Sequence, residues 1–217
     1  MTLSEENYLK AIYHLSRNYK DGVPTNAIAE QMDTKASSVT DMLKKLSEKK
    51  LVIYKKYQGV KLTREGHLYA ARIVRKHRLW EVFLVKKLNF AWDEVHDVAE
   101  QLEHIKSEKL IKELDKFLEY PDRDPHGDPI PDHEGNIKTL SKTTLSACQK
   151  NDKGICVGVA DTSSEFLKYL DKLHIGLGNT IEVISKESFD QSMSIFNNGR
   201  ELTVSAIVAQ NIYIQKL

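Results

Sequence analysis

Proline placement divides this chain more sharply than any other feature. Four of its five prolines lie in one loop, Tyr120-Pro121-Asp122-Arg123-Asp124-Pro125-His126-Gly127-Asp128-Pro129-Ile130-Pro131. Proline locks φ and has no amide proton, so neither a helix nor a central strand runs through such a segment. The loop therefore ends one kind of structure. Before it, apolar residues recur at helical spacing; well after it come short β-rich runs. The expected fold is mainly α with a small β domain.

Charge divides the chain as well. Of 217 residues, 32 are Lys or Arg and 31 Asp or Glu, a net charge of +1. That average conceals +5 over residues 1–64, −4 over 65–140 and 0 over 141–217, and these ranges are the three expected domains. Six of the eight histidines (67, 77, 96, 104, 126 and 133) lie in the acidic middle. An apolar fraction of 41% is enough for packed cores and excludes disordered and collagen-like classes. No apolar run approaches the ~20 residues of a membrane span. The N-terminus lacks the basic-then-apolar order of a secretory signal. Cys148 and Cys156 make no disulfide framework and read as free thiols of a cytoplasmic protein.

The basic head reads as a winged helix-turn-helix. Ser4 is placed to cap a first helix with Leu9, Ile12, Tyr13 and Ser16 on its inner stripe, broken near Gly22 and Pro24. A short second helix opens at Thr25, with Ile28, Ala29 and Met32 apolar. After a turn at Asp33-Thr34-Lys35, the third helix repeats Val39, Met42, Leu43 and Leu46 inward. Its other face carries Ser37, Ser38, Thr40, Asp41, Lys44 and Lys45. Leu51 to Leu62 follows as a hairpin with Gln58-Gly59 near its tip, and Thr63 caps the next helix. In such a unit the second helix of the pair enters the major groove. Lys35, Lys44, Lys55 and Lys56 would supply phosphate attraction. Ser37, Ser38, Thr40 and Asp41 would lie near base edges.

The middle offers metal-ligand chemistry. A long helix is expected from Thr63 to about Leu88, with His77 and Glu81 one turn apart on one face. A second, from Asp93, aligns His96, Glu100, Glu103 and His104 along one stripe. Lined-up carboxylates repel one another; a divalent cation relieves this and uses the same oxygens and nitrogens as ligands. Ser107 opens a further helix with Leu110, Ile111, Leu114 and Leu118 apolar, more apolar surface than one layer buries, as in a symmetric homodimer. Asp124 and His126 add two donors in the proline loop. The spacing matches neither Glu-x-x-His di-iron pairs nor His-Glu-x-x-His proteases.

At these residues the chain resembles the diphtheria toxin repressor family, including its manganese transport regulator branch. The resemblance rests on Arg75-Lys76-His77-Arg78-Leu79-x-Glu81, Val95-His96-Asp97-x-Ala99-Glu100-x-x-Glu103-His104 and Pro125-His126-Gly127-Asp128-Pro129-Ile130-Pro131, with Ala36-Ser37-Ser38-Val39-Thr40 like the manganese branch. It implies two metal sites per subunit. One would use Glu100, Glu103 and His104, with a first-helix ligand at Asn7, where the manganese branch has Asp; another manganese-branch ligand position is Lys10, which as a cation does not ligate. The second would use His77, Glu81 and His96, together with Asp124, His126, Asp161 and, less strongly, Glu165. Relatives carry Cys at the positions of Glu100 or Asp124. Hard carboxylates there favour Mn²⁺, then Fe²⁺, with Zn²⁺, Co²⁺ or Ni²⁺ able to substitute.

Residues 141–217 hold strands at Ile155–Val159, Thr180–Ile184, Ser192–Phe196 and Ile212–Ile214, a helix at Glu165–Leu173, and an Asn198-Gly199 hairpin turn. By resemblance this is an SH3-like domain, either completing a metal site through Asp161 or acting as a stabilising module. The reading is a metal-dependent homodimeric repressor of metal-uptake genes, binding a palindromic double-stranded DNA operator, with no membrane partner. The alternatives are a winged-helix regulator with structural metal or another effector, and a helical metalloenzyme. The sequence shows no nucleophile–base set and no phosphate-binding glycine loop, so the chain is read as not an enzyme.

Overall fold

A computed structural model describes residues 1–55 and 58–217; the expected DNA contact Lys56 lies outside them. Helices α1 (Leu3–Leu15), α2 (Thr25–Gln31) and α3 (Ala36–Glu48) precede strands β1 (Val52–Lys55) and β2 (Gly59–Leu62). Then come α4 (Arg64–Leu88), α5 (Val95–Leu102) and α6 (Glu108–Phe117). Beyond the proline loop follow β3 (Thr143–Thr144), β4 (Lys153–Val159), α7 (Ser164–Lys172), β5 (Thr180–Lys186), β6 (Met193–Asn197), β7 (Arg200–Val204), α8 (Ala206–Gln210) and β8 (Ile212–Lys216). The chain packs as two compact units. One comprises Met1–Trp80, Glu100–Leu114 and Ile130–Ile137; the other Glu81–Ala99, Asp115–Pro129 and Lys138–Leu217.

In the first unit, α1 begins two residues earlier than expected. Its cap is Thr2, not Ser4: Thr2 Oγ1 accepts from the Glu5 amide at 3.3 Å, and Glu5 Oε2 accepts from the Thr2 amide at 3.0 Å. This reciprocal box satisfies two otherwise orphaned donors, which a cap at Ser4 would not. Leu9, Ile12, Ile28, Val39, Leu43 and Leu46 are fully buried and form the core of α1–α3. Each such side chain contributes about 1.5–3 kcal/mol by leaving water. Strands β1 and β2 pair antiparallel from Val52↔Leu62 to Lys55↔Gly59. Strand β2 needs glycine at its first position, 59, where φ is +79° and a Cβ would meet Val23 O at 2.8 Å. Thr63 Oγ1 accepts from the Gly66 amide at 3.0 Å, capping α4 as its position predicts.

In the second unit, a six-stranded antiparallel sheet runs β3-β8-β4-β5-β6-β7. Asn198 and Gly199 both take positive φ, the primed-turn geometry that joins β6 to β7. Leu167 and Leu170 of α7 pack in a core with Ile181, Met193 and Ile195. Cys148 and Cys156 are free and buried in that core. Burial pushes the Cys156 thiol up to about 11, so it carries no thiolate chemistry at neutral pH.

One expectation for the middle helices is corrected. α5 starts at Val95 rather than Asp93 and stops at Leu102, so Glu103 and His104 stand in the turn beyond it. On α6, Ile111 and Leu114 are buried but Leu110 is 40% exposed. Among the described residues, no helix is long and apolar enough to cross a membrane.

Candidate metal centres and DNA-reading face

The donors expected on a single stripe separate into two clusters. The first belongs to the first unit. Glu103, wholly buried, is gripped by the Lys10 ammonium, whose Nζ lies 2.8 Å from each carboxylate oxygen. Lys10 also reaches Glu100 Oε1 at 3.5 Å. His77 Nδ1 stands 2.6 Å from Glu103 Oε2, and His104 Nδ1 stands 2.6 Å from Glu6 Oε2. Burial raises the Glu103 pKa, but the His77 hydrogen bond and the Lys10 charge outweigh it, and the net shift is downward. Glu103 is thus an ionised acceptor, and the proton on its short contact is carried by the imidazole. Glu6 is buried too, and Tyr69 donates its hydroxyl to it at 3.4 Å. Asn7 Oδ1 is buried with no hydrogen-bond partner among the described residues.

The second cluster lies in the second unit. Glu81 on α4, Asp124 and His126 each present one ligand atom within 4.8 Å of the others, and all three are buried. His96 Nδ1 on α5 also faces Glu81 Oε1, at 3.8 Å. The loop is rigidly built. Asp124 Oδ1 accepts from the amides of His126 and Asp128, each at 2.9 Å, and Arg123 donates to Gly127 O at 2.7 Å. His126 O accepts from the Val159 amide at 3.0 Å, anchoring the loop to β4 where that strand shifts register between Cys156 and Gly158. His126 Nε2 lies 2.7 Å from Trp92 O. A carbonyl only accepts, so Nε2 holds the proton and Nδ1 is the nitrogen turned to Glu81 Oε1, 3.8 Å away.

The two clusters fit a divalent ion differently. In the loop cluster a carbonyl fixes the imidazole tautomer, while Nδ1 and two carboxylates converge within 4.8 Å of one another, Nδ1 standing 3.8 Å from Glu81 Oε1. That is the arrangement an outer carbonyl imposes on a metal-binding histidine. In the Lys10 cluster the place between the Glu103 oxygens is already taken by an ammonium. Among the described residues, no three-donor group within 4.8 Å includes Glu100, Glu103 or His104. As it stands, that cluster does not fit a metal. Asp161 accepts from the Ser163 amide at 2.8 Å and Glu165 is exposed on α7; neither joins such a group.

On the head, Lys35 precedes α3 as its N-cap residue, and Ser37, Ser38, Asp41 and Lys44 are exposed. Thr40 donates its hydroxyl back to Ala36 O at 2.9 Å, and Lys44 pairs with Asp41 at 3.2 Å. Lys55 is exposed at the end of β1. A groove beside this face is lined by Thr25, Asn26, Ala36, Thr40, Tyr54 and Gln58.

Two contributors escaped the sequence reading. Glu6 meets a partner 98 positions away, and the Trp92 backbone oxygen has no side-chain signature. Helical spacing reports a shared face on one helix and is silent about such partners.

Three family models match in order. Residues 1–60 match the iron-dependent repressor N-terminal DNA-binding domain. Residues 63–132 match the iron-dependent repressor metal-binding and dimerisation domain, and 143–216 the FeoA domain. The diphtheria toxin repressor of Corynebacterium jeikeium is 32% identical over 162 residues, 74% of this chain and 66% of that protein. The match to the iron-dependent repressor IdeR of Mycobacterium bovis is 36% over 58% of this chain and 54% of IdeR, so the chain spans between half and two thirds of these relatives. A manganese-dependent transcriptional repressor solved in complex with manganese superposes with a TM-score of 0.86 at 35% identity, covering 98% of this chain and all of that one. The manganese regulator SloR gives 0.75 at 38% identity, with both chains fully covered.

Proposed function

This chain belongs to the iron-dependent repressor family that includes the diphtheria toxin repressors, and on that premise we propose that it is a metal-dependent DNA-binding transcriptional repressor. It answers Mn²⁺ before Fe²⁺, binds a palindromic operator as a homodimer and governs metal-uptake genes. The observation that carries the metal dependence is the Glu81–Asp124–His126 cluster.

Its chemistry favours a hard ion. Two buried carboxylates and one imidazole suit Mn²⁺ or Fe²⁺, and no thiolate is present to select softer metals. A cation held there supplies the positive charge that lets Glu81 and Asp124 approach. Glu81 then ties α4 to the proline loop, His96 brings in α5, and Trp92 O keeps His126 turned to the site. Each tie fixes one helix of the region matched to the dimerisation domain. The exposed Leu88, Phe117 and Tyr120 supply apolar surface for the partner subunit.

On the head, Lys44 and Lys55 meet phosphates, and Ser37 and Ser38 meet base edges at the start of α3. A conformational equilibrium of this kind moves from one state to the other when the ion binds the DNA-competent form more tightly, by about 5.5 kcal/mol for a complete reversal. The test uses duplexes selected from a random pool in the presence of Mn²⁺. Binding should fall sharply after chelation, and Asp124→Ala should abolish the metal response. Equal affinity with and without Mn²⁺ would refute the reading.

A further inference from the structure

The geometry points to Lys10 as a cation supplied by the chain itself, which closes the Glu103 cluster without a metal and leaves the loop cluster as the metal-responsive centre of each subunit. This rests on the metal-switch reading for its biological sense but not for its chemistry. Lys10 Nζ is equidistant, at 2.8 Å, from both oxygens of a carboxylate with no solvent exposure. Its own side chain is 13% exposed. An ammonium donates hydrogen bonds and has no lone pair, so it occupies a cation's place and cannot join a cation's shell.

The rest of the cluster is consistent with a closed state. His77 completes the Glu103 carboxylate, and Glu6 is taken by His104. At Asn7 the chain offers a neutral oxygen rather than a charge. Entry of an ion would require Lys10 to leave Glu103 and keep its charge in a nearly buried position. A tethered cation also cannot dissociate into solution, so its presence does not vary with metal concentration. Lys10 therefore holds α1 to the Glu100–His104 segment at every metal level, and the response to metal comes from Glu81, Asp124 and His126.

Mn²⁺ stoichiometry on the full chain, by calorimetry and by metal analysis after desalting, decides this. The wild type should bind one Mn²⁺ per subunit, lost in Asp124→Ala and kept in Glu103→Gln. Lys10→Met should gain a second equivalent, and Lys10→Arg should not. Two equivalents in the wild type with one lost in Glu103→Gln would overturn the inference, as would a folded Lys10→Met that gains none. A Lys10→Met chain that is folded, by circular dichroism, only when Mn²⁺ is present counts for it. If that variant does not fold at all, the wild-type and Glu103→Gln stoichiometries decide alone. A wild type that binds no Mn²⁺ while Lys10→Met binds one would sink the metal-switch reading and leave the role of Lys10 standing.

Discussion

Gly127→Ala tests how the loop cluster is held. Gly127 has φ +89°, and a Cβ there would lie 2.1 Å from Val157 O and 2.4 Å from Gly158 Cα. Side-chain carbons essentially never come within 3.0 Å of such atoms, so the loop must back away from β4 by about 0.9 Å or more. Two costs add. Holding a non-glycine residue at this φ costs about 1–3 kcal/mol. Retreat also stretches the bond from the Val159 amide to His126 O, and an unsatisfied buried donor costs about 1–3 kcal/mol. The sum is roughly 2–6 kcal/mol, and at about 2–4 °C per kcal/mol for a chain of this size the midpoint should fall by about 10 °C. Because His126 and Asp124 move with the loop, Mn²⁺ affinity should drop by about 10–100-fold, as when a metal ligand's support is lost. Calorimetric unfolding and Mn²⁺ titration measure both effects. Gly178→Ala is the control: its φ is +85°, but a Cβ there meets nothing within 4 Å, so it carries strain without collision. If Gly127→Ala proves no more damaging than Gly178→Ala and binds Mn²⁺ normally, the anchoring argument fails.

Asp124→Cys replaces a hard oxygen with a thiolate, so it should shift preference from Mn²⁺ toward Zn²⁺ in competition titrations; an unchanged ratio would place Asp124 outside the site. Glu103 has a lowered pKa, so it binds fewer protons folded than unfolded. Its contribution to stability is therefore complete above the ordinary carboxylate value and is lost as pH falls through the lower folded value. Metal-free Glu103→Gln should flatten this acid limb in denaturation curves and lower stability by about 3–5 kcal/mol at neutral pH, because Lys10 loses its buried partner. Lys44→Ala should weaken all DNA sequences alike and reduce the salt slope by about 0.9, the loss of one phosphate contact; a change in sequence preference alone would make Lys44 a base reader instead.

Much of the head was legible because its determinants are local. The stripe Val39, Leu43 and Leu46, the antiparallel pairing across the hairpin and the Thr63 cap each depend on residues a few positions apart, and all are found as expected. The cap of α1 was misplaced by two residues because Thr2 and Ser4 are equally good caps in isolation. What separates them is the Glu5 side chain reaching back to Thr2.

The metal chemistry shows the same division. By themselves, the sequence patterns determined that this chain is a basic helix-turn-helix head, an acidic histidine-rich middle and a β module beyond a proline loop. They also placed in the middle the carboxylates and imidazoles from which a site for a hard divalent ion is built. Periodicity and turn chemistry are short-range physics, and they survive in a one-dimensional reading. Only the tertiary structure decided which donors converge. It assembled Glu81 with Asp124 and His126 across 45 positions of sequence, and set the Lys10 ammonium where a metal had been expected. Those outcomes depend on Coulomb attraction and desolvation between groups that are brought together when the chain packs.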